Sequence, residues 1–113
     1  MKTYCELYFK GNPVALKQFI DEIQAYAKGD WKAQVVQDMG TSWIAFDYYG
    51  ADVDQASVCI SLYNFETADE LRVTNIVPLE KNQLSIDEYN NVLRKFYEDV
   101  IRPYKATHHD VSI

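Results

Sequence analysis

Histidine is almost missing from this sequence, and its two copies, His108 and His109, are neighbours. The commonest general base is thus confined to one short stretch, HHD, with no third or fourth metal ligand evident beside it. There is no glycine-rich phosphate loop either: Gly11, Gly29, Gly40 and Gly50 each fall at a turn between periodic segments. No run approaches the roughly 20 apolar residues that a membrane span needs. The opening MKTYCELYFKG alternates too strictly for a secretory leader. Basic residues are scarce, with eleven Lys and Arg against seventeen Asp and Glu, a formal charge of -6 and a pI near 4.7. Nucleic-acid binding works by neutralising phosphates with Lys and Arg, so the balance argues against nucleic acid, and equally against an anionic membrane surface. Cysteine is limited to Cys5 and Cys59. Without an export signal, both are expected as reduced, buried thiols in a cytoplasmic protein.

What the chain does have is aromatic rings. Nine Tyr, five Phe and two Trp stand among 113 residues, more tyrosine than a core of this size holds, so several are expected at the surface. The length suits one domain with one core. Residues 2–10 read as a strand of period two, with Cys5, Leu7 and Phe9 on one face and Tyr4, Glu6 and Tyr8 on the other. Asn12 caps a helix with Pro13 at its first position, and Leu16, Phe19, Ile20, Ile23 and Ala27 supply its apolar stripe. Four strand candidates follow at 31–38, 42–49, 57–65 and 70–77, separated by short polar stretches that favour hairpins. In the last of them Leu71 and Val73 share a face but Ile76 falls on the other, which either a bulge near Thr74 and Asn75, the reading favoured here, or cover on both sides of the strand would resolve.

Val73 to Leu93, VTNIVPLEKNQLSIDEYNNVL, carries the strongest local signals. Pro78 cannot donate to a ladder and marks the end of a strand. Ser85 and Glu88 form a capping box, with Leu84 and Tyr89 placed as a hydrophobic staple. Tyr89, Val92, Leu93, Phe96 and Val100 then make one stripe, and Arg102-Pro103 is expected to end it. Asn75 needs a partner if it is buried. The segments NIVP and LSIDEYN resemble, over about twenty residues, small bacterial proteins of no assigned function; that likeness implies no catalytic residue.

The expected fold is α+β, in the order β-α-β-β-β-β-α: a mainly antiparallel five-stranded sheet with two helices packed on one face. Residues 1–103 form the domain and 104–113 a loose tail that carries both histidines. Cys5 is expected on an apolar face, and Cys59 lacks an activating neighbour in sequence. Asp47 is expected half-exposed, and Asp52 and Asp54 in a solvated loop without calcium-site spacing. No catalytic, metal or cofactor site is therefore assigned. The candidate binding surface is the sheet face away from the helices, where alternation places Tyr4, Tyr8, Trp43, Tyr49 and Tyr63 with Lys32 and Arg72. Tyr, Trp and Arg are the residues favoured in interfaces. The expected function is a protein-binding module, immunity- or antitoxin-like by analogy, working by occlusion of a partner or as a homodimer. The alternative is a small enzyme with a Tyr/Asp/Arg cleft between helices and sheet.

Overall fold

Alternation in the sequence becomes a five-stranded antiparallel sheet in the computed structural model, which describes residues 2–113. The strands are β1 (Tyr8–Lys10), β2 (Trp31–Asp38), β3 (Thr41–Tyr48), β4 (Ala56–Ser61) and β5 (Glu70–Pro78), in the spatial order β1-β5-β4-β3-β2. Helix α1 (Pro13–Ile23) leads from one edge strand to the other, and α2 (Ile86–Phe96) follows β5. Both helices lie on one face, as expected. Ile44, Phe46, Val58 and Ile60 from the sheet meet Leu16, Phe19, Val92 and Phe96 from the helices in a single buried cluster.

The helix starts follow the sequence signals closely. Asn12 Oδ1 accepts the Ala15 N–H at 2.8 Å. At α2 the Ser85 hydroxyl accepts the Glu88 N–H at 3.1 Å, while the Glu88 carboxylate accepts the Ser85 N–H at 2.8 Å. Two otherwise free donors are thus satisfied reciprocally. The β2–β3 turn is equally local. Met39 (φ 49) and Gly40 (φ 81) both adopt the left-handed conformation, as a two-residue hairpin loop of type I′ requires.

The bulge lies where the apolar pattern breaks. Ile60 pairs with Val73 and Cys59 with Asn75, leaving Thr74 surplus. Its hydroxyl donates to the Cys59 carbonyl at 3.2 Å. The extra residue turns Ile76 into the core beside Leu71. Asn75 is exposed and needs no buried partner.

Three expectations are corrected. The first strand is much shorter than residues 2–10. β1 pairs with β5 at Tyr8↔Arg72, Phe9↔Leu71 and Lys10↔Glu70, and the Val73 N–H reaches the Leu7 carbonyl at 3.1 Å, just before the bulge interrupts β5. Residues before Leu7 bond instead to α2. Asn90 Oδ1 accepts the Cys5 N–H at 2.7 Å, and Asn90 Nδ2 donates to the Thr3 carbonyl at 3.0 Å. Cys5 is consequently exposed, not buried.

Pro103 does not end the last helix. A π-helical turn, Tyr97–Ile101, and a further short helix, α3 (Arg102–Lys105), carry the chain on. A proline within a helix clashes with the carbonyl four residues back. Here the wider turn precedes it, with the Arg102 N–H bonded five residues back to the Tyr97 carbonyl. The inserted residue also rotates the buried stripe, so that Ile101 and Tyr104 face the core and Pro103 faces outward.

The stretch after Pro103 is not a loose tail. Tyr104 and Val111 are buried, and Ser112 exchanges two backbone hydrogen bonds with Lys10, at 2.7 and 2.8 Å.

The capping box generates a testable outcome. Ser85→Ala should lower unfolding free energy by about 1 kcal/mol, read from urea denaturation. Lys81, and then the Ser85 N–H, hold the Glu88 carboxyl down to about 2 from its usual 4.5. A depressed folded-state value gives stability that is present above the unfolded pKa and lost as pH falls through the folded one. Glu88→Gln keeps the cap geometry but removes the charge. Its deficit should be full above about pH 5 and vanish toward pH 2; a deficit constant with pH would contradict this account.

Candidate functional site

Among the described residues, no element covers the side of the sheet opposite the helices. β2 contributes Lys32 and Gln34, β3 contributes Trp43, Ala45 and Asp47, β4 contributes Ser57, Cys59 and Ser61, and β5 contributes Asn75 and Val77. Because of the bulge, Thr74 and Asn75 both reach this side. With Thr41, Trp43, Cys59, Ser61 and Val77 they line a shallow, open and largely apolar basin of about 460 Å³. Trp43 and Cys59 are half-buried there, and Val77 is exposed.

Asp47, expected half-exposed, is buried on this same side, at 8% exposure. Gln34 Nε2 donates to its Oδ2 at 3.3 Å, and the Tyr49 hydroxyl donates to that oxygen at 3.4 Å. Those two side chains fold over the carboxylate from the neighbouring strand and from the end of β3, which explains the burial. Lys32 Nζ stands 5.9 Å from the Tyr49 ring centroid, within cation–π range. Burial, with a further contribution from Asp47, pushes the Cys59 thiol above its usual range. Cys59 is therefore held as a neutral thiol, which is the opposite of nucleophile activation.

The seven residues expected on one surface do not form a single patch. Trp43 sits in the basin, and Tyr63, 79% exposed, lies just past the end of β4 that pairs with Trp43. Tyr49 stands at the far end of β3. Tyr8 and Arg72 are cross-strand partners at the β1 edge, and the Tyr8 hydroxyl donates to Glu6 Oε2 at 2.7 Å. They line a small pit of about 170 Å³ with Tyr4, Cys5, Glu6 and Tyr89. Tyr4 joins Tyr8 and Arg72 around that pit, but not as a residue of the sheet. The shortened strand turns it toward α2, where it meets Tyr89 edge-on with centroids 4.9 Å apart.

A cleft uniting Tyr, Asp and Arg between helices and sheet is not formed. Asp47 and Arg72 stand on β3 and β5 with β4 between them, and Asp47 faces away from the helices. Asp52 and Asp54 are not merely solvated. Lys95 contacts Asp52 at 3.1 Å and Asp99 at 3.2 Å, and Lys81 contacts Asp54 at 2.9 Å and also pairs with Glu88. Both lysines are raised above their usual range, chiefly by these carboxylates. No group of three or more His, Cys, Asp or Glu among the described residues is arranged to hold a metal ion.

A cluster that linear reading did not find surrounds His108. Its ring stacks on Tyr104 at 4.1 Å, and its Nε2 lies 2.9 Å from Glu22 Oε2 of α1. Burial, followed by Glu22, pushes the Tyr104 phenol up to about 12. The cluster ties the end of the chain to α1. It is spaced over eighty residues of sequence, and nothing in the local pattern around Glu22 announces it.

No protein-family model, curated protein or solved structure matches the chain.

The two thiols should differ in reactivity. Cys5 is exposed and Cys59 is half-buried with a raised pKa, so a thiol reagent at neutral pH should modify Cys5 first and Cys59 more slowly. Peptide mapping after timed labelling gives the order. Equal rates, or faster modification of Cys59, would show that the basin does not bury this thiol.

Proposed function

We propose that the protein is a small acidic binding module that receives a protein partner on the bare side of its sheet and acts by occluding it. The observation that carries this reading is the apolar basin around Trp43 on a sheet face that no helix covers. An exposed apolar depression with a tryptophan at its wall is the kind of surface on which association energy concentrates. The formal charge of -6 favours a basic partner, since opposite fields speed encounter. Size and charge of this kind are shared by immunity and antitoxin proteins that block basic toxins, and the comparison is one of analogy. The likeness of NIVP and LSIDEYN to small bacterial proteins of no assigned function fits that setting. Two free thiols fit a cytoplasmic location, and no described helix is long and apolar enough to cross a membrane.

The enzyme reading draws less support, because Asp47 and Arg72 are not gathered into one cleft. Nucleic acid is disfavoured by the overall charge and by the few bases on the open side.

The surface is tested by placing a photo-reactive residue at Ser61, in the basin, or at Lys17, on the outer side of α1. Crosslinks to a partner should form from position 61 and not from 17. They should disappear in the Trp43→Ala/Tyr49→Ala double variant while circular dichroism stays that of the native fold. Equal crosslinking from both positions, or crosslinking unaffected by the double substitution, would remove the proposal.

A further inference from the structure

The two edges of the sheet are finished differently. β1 is three residues long, and its outer side is closed at Lys10 by the pair of hydrogen bonds to Ser112. β2 is eight residues long, pairs without a bulge along its whole length with β3, and among the described residues has no strand on its other side.

Two hydrogen bonds settle which of its backbone groups point outward. The Tyr49 N–H donates to the Asp30 carbonyl at 2.8 Å, which turns Asp30 toward β3. The Leu62 N–H donates to the Ser42 carbonyl at 3.0 Å, which turns Ser42, the partner of Gln37, toward β4 and away from β2. Antiparallel pairing alternates, so Ala33, Val35 and Gln37 present their N–H and C=O groups outward. Edge strands are ordinarily protected by proline, a bulge, an inward charge or a covering segment. From Ala33 to Gln37, AQVVQ, this strand has neither proline, bulge nor charge, and Val35 is 47% exposed.

The strand is also complementary to itself. Reversed about Val35, it sets Lys32 opposite Asp38, Ala33 opposite Gln37, Gln34 opposite Val36, and Val35 opposite its own copy. In that register outward residues face outward residues, so about six backbone hydrogen bonds can form across the seam. A slip of one residue sets outward groups against inward ones. A slip of two keeps the hydrogen-bond parity but loses the charge match, placing Lys32 opposite Val36 or Gly40, and in the first of these Asp38 opposite Asp30.

We propose that β2 is the seam of a homodimer, in which a second copy of this chain pairs antiparallel with it across a two-fold axis at Val35. The five strands of each copy then form one continuous sheet, and the isologous contact closes after two chains. The seam uses the edge of the sheet and not its open face. It therefore stands or falls apart from the partner surface, and it leaves both basins free on the same side of the joined sheet.

Sedimentation equilibrium of the full chain tests the seam by charge exchange. The wild type should show a monomer–dimer equilibrium. Lys32→Glu sets Glu opposite Asp38 twice, and Asp38→Lys sets Lys opposite Lys twice, so each should weaken the dimer by about tenfold. An equimolar mixture of the two single variants restores both opposite-charge pairs, and should form a heterodimer about as strong as the wild type. The double variant Lys32→Glu/Asp38→Lys should also regain wild-type strength. Rescue on mixing excludes misfolding as the cause of the loss. A wild type that stays monomeric at millimolar concentration would overturn the proposal. So would a Lys32→Glu variant that dimerises unchanged, or single variants that fail to restore each other.

Discussion

The hydrogen bond from the Thr74 hydroxyl to the Cys59 carbonyl marks the point where β5 holds one residue more than the strand it pairs with. Much of the molecule is arranged around that mismatch. Downstream of it, Ile76 enters the core and Val77 turns to the open side. Upstream, the ladder to β1 stops at Leu7, and residues 2–6 pass to α2 and its Asn90. On the open side, two successive residues, Thr74 and Asn75, contribute to one wall of the basin. A bulge bends and twists its strand. Here the same irregularity limits the short edge and shapes the depression around Trp43.

The other organising contact is aromatic. Trp31, Tyr48 and Phe96 form a chain of tilted rings with centroids 4.9 to 5.6 Å apart, joining the start of β2, the end of β3 and the last turn of α2. The indole N–H of Trp31 donates to Asp99 Oδ2 at 3.0 Å, so a buried polar group is satisfied at the π-helical turn. That turn adjusts the helix phase just before Pro103, and Tyr104 then packs against Phe19 and Tyr26. The end of the chain is held because the helix did not stop.

The sheet, the two main helices and the bulge were legible from local pattern: alternation, a capping box, and one apolar residue out of phase. Those signals act over fewer than ten residues, so a single sequence exposes them. The positions of Tyr4 and Cys5 were not legible, because period-two alternation says nothing about how far a partner strand extends. Pro103 reads as a stop in sequence because a proline ordinarily clashes within a helix, whereas here a preceding π-turn removes the clash. Asp47 was misplaced for a related reason. Its burial comes from Gln34 and Tyr49 folding over it, and neither side chain's direction can be read from its own segment. Of the candidate surface, Tyr8 and Arg72 pair across β1 and β5 with Tyr4 beside them, while Trp43 on β3 and Tyr49 just past its end stand apart from that group and from each other.

At Gly50 a single added carbon would collide with the phenol of Tyr48 and with the carboxylate of Asp30. The Tyr48 oxygen also accepts the Asp52 N–H at 3.2 Å, and its ring leans on Trp31. Replacing this glycine, even by alanine, would therefore strike the aromatic chain, the loop after β3 and the entry to β2 at once. Nothing at that site can be changed by degrees: the smallest side chain already meets a buried ring, and the close approach of loop to sheet rests on a side chain that is not there.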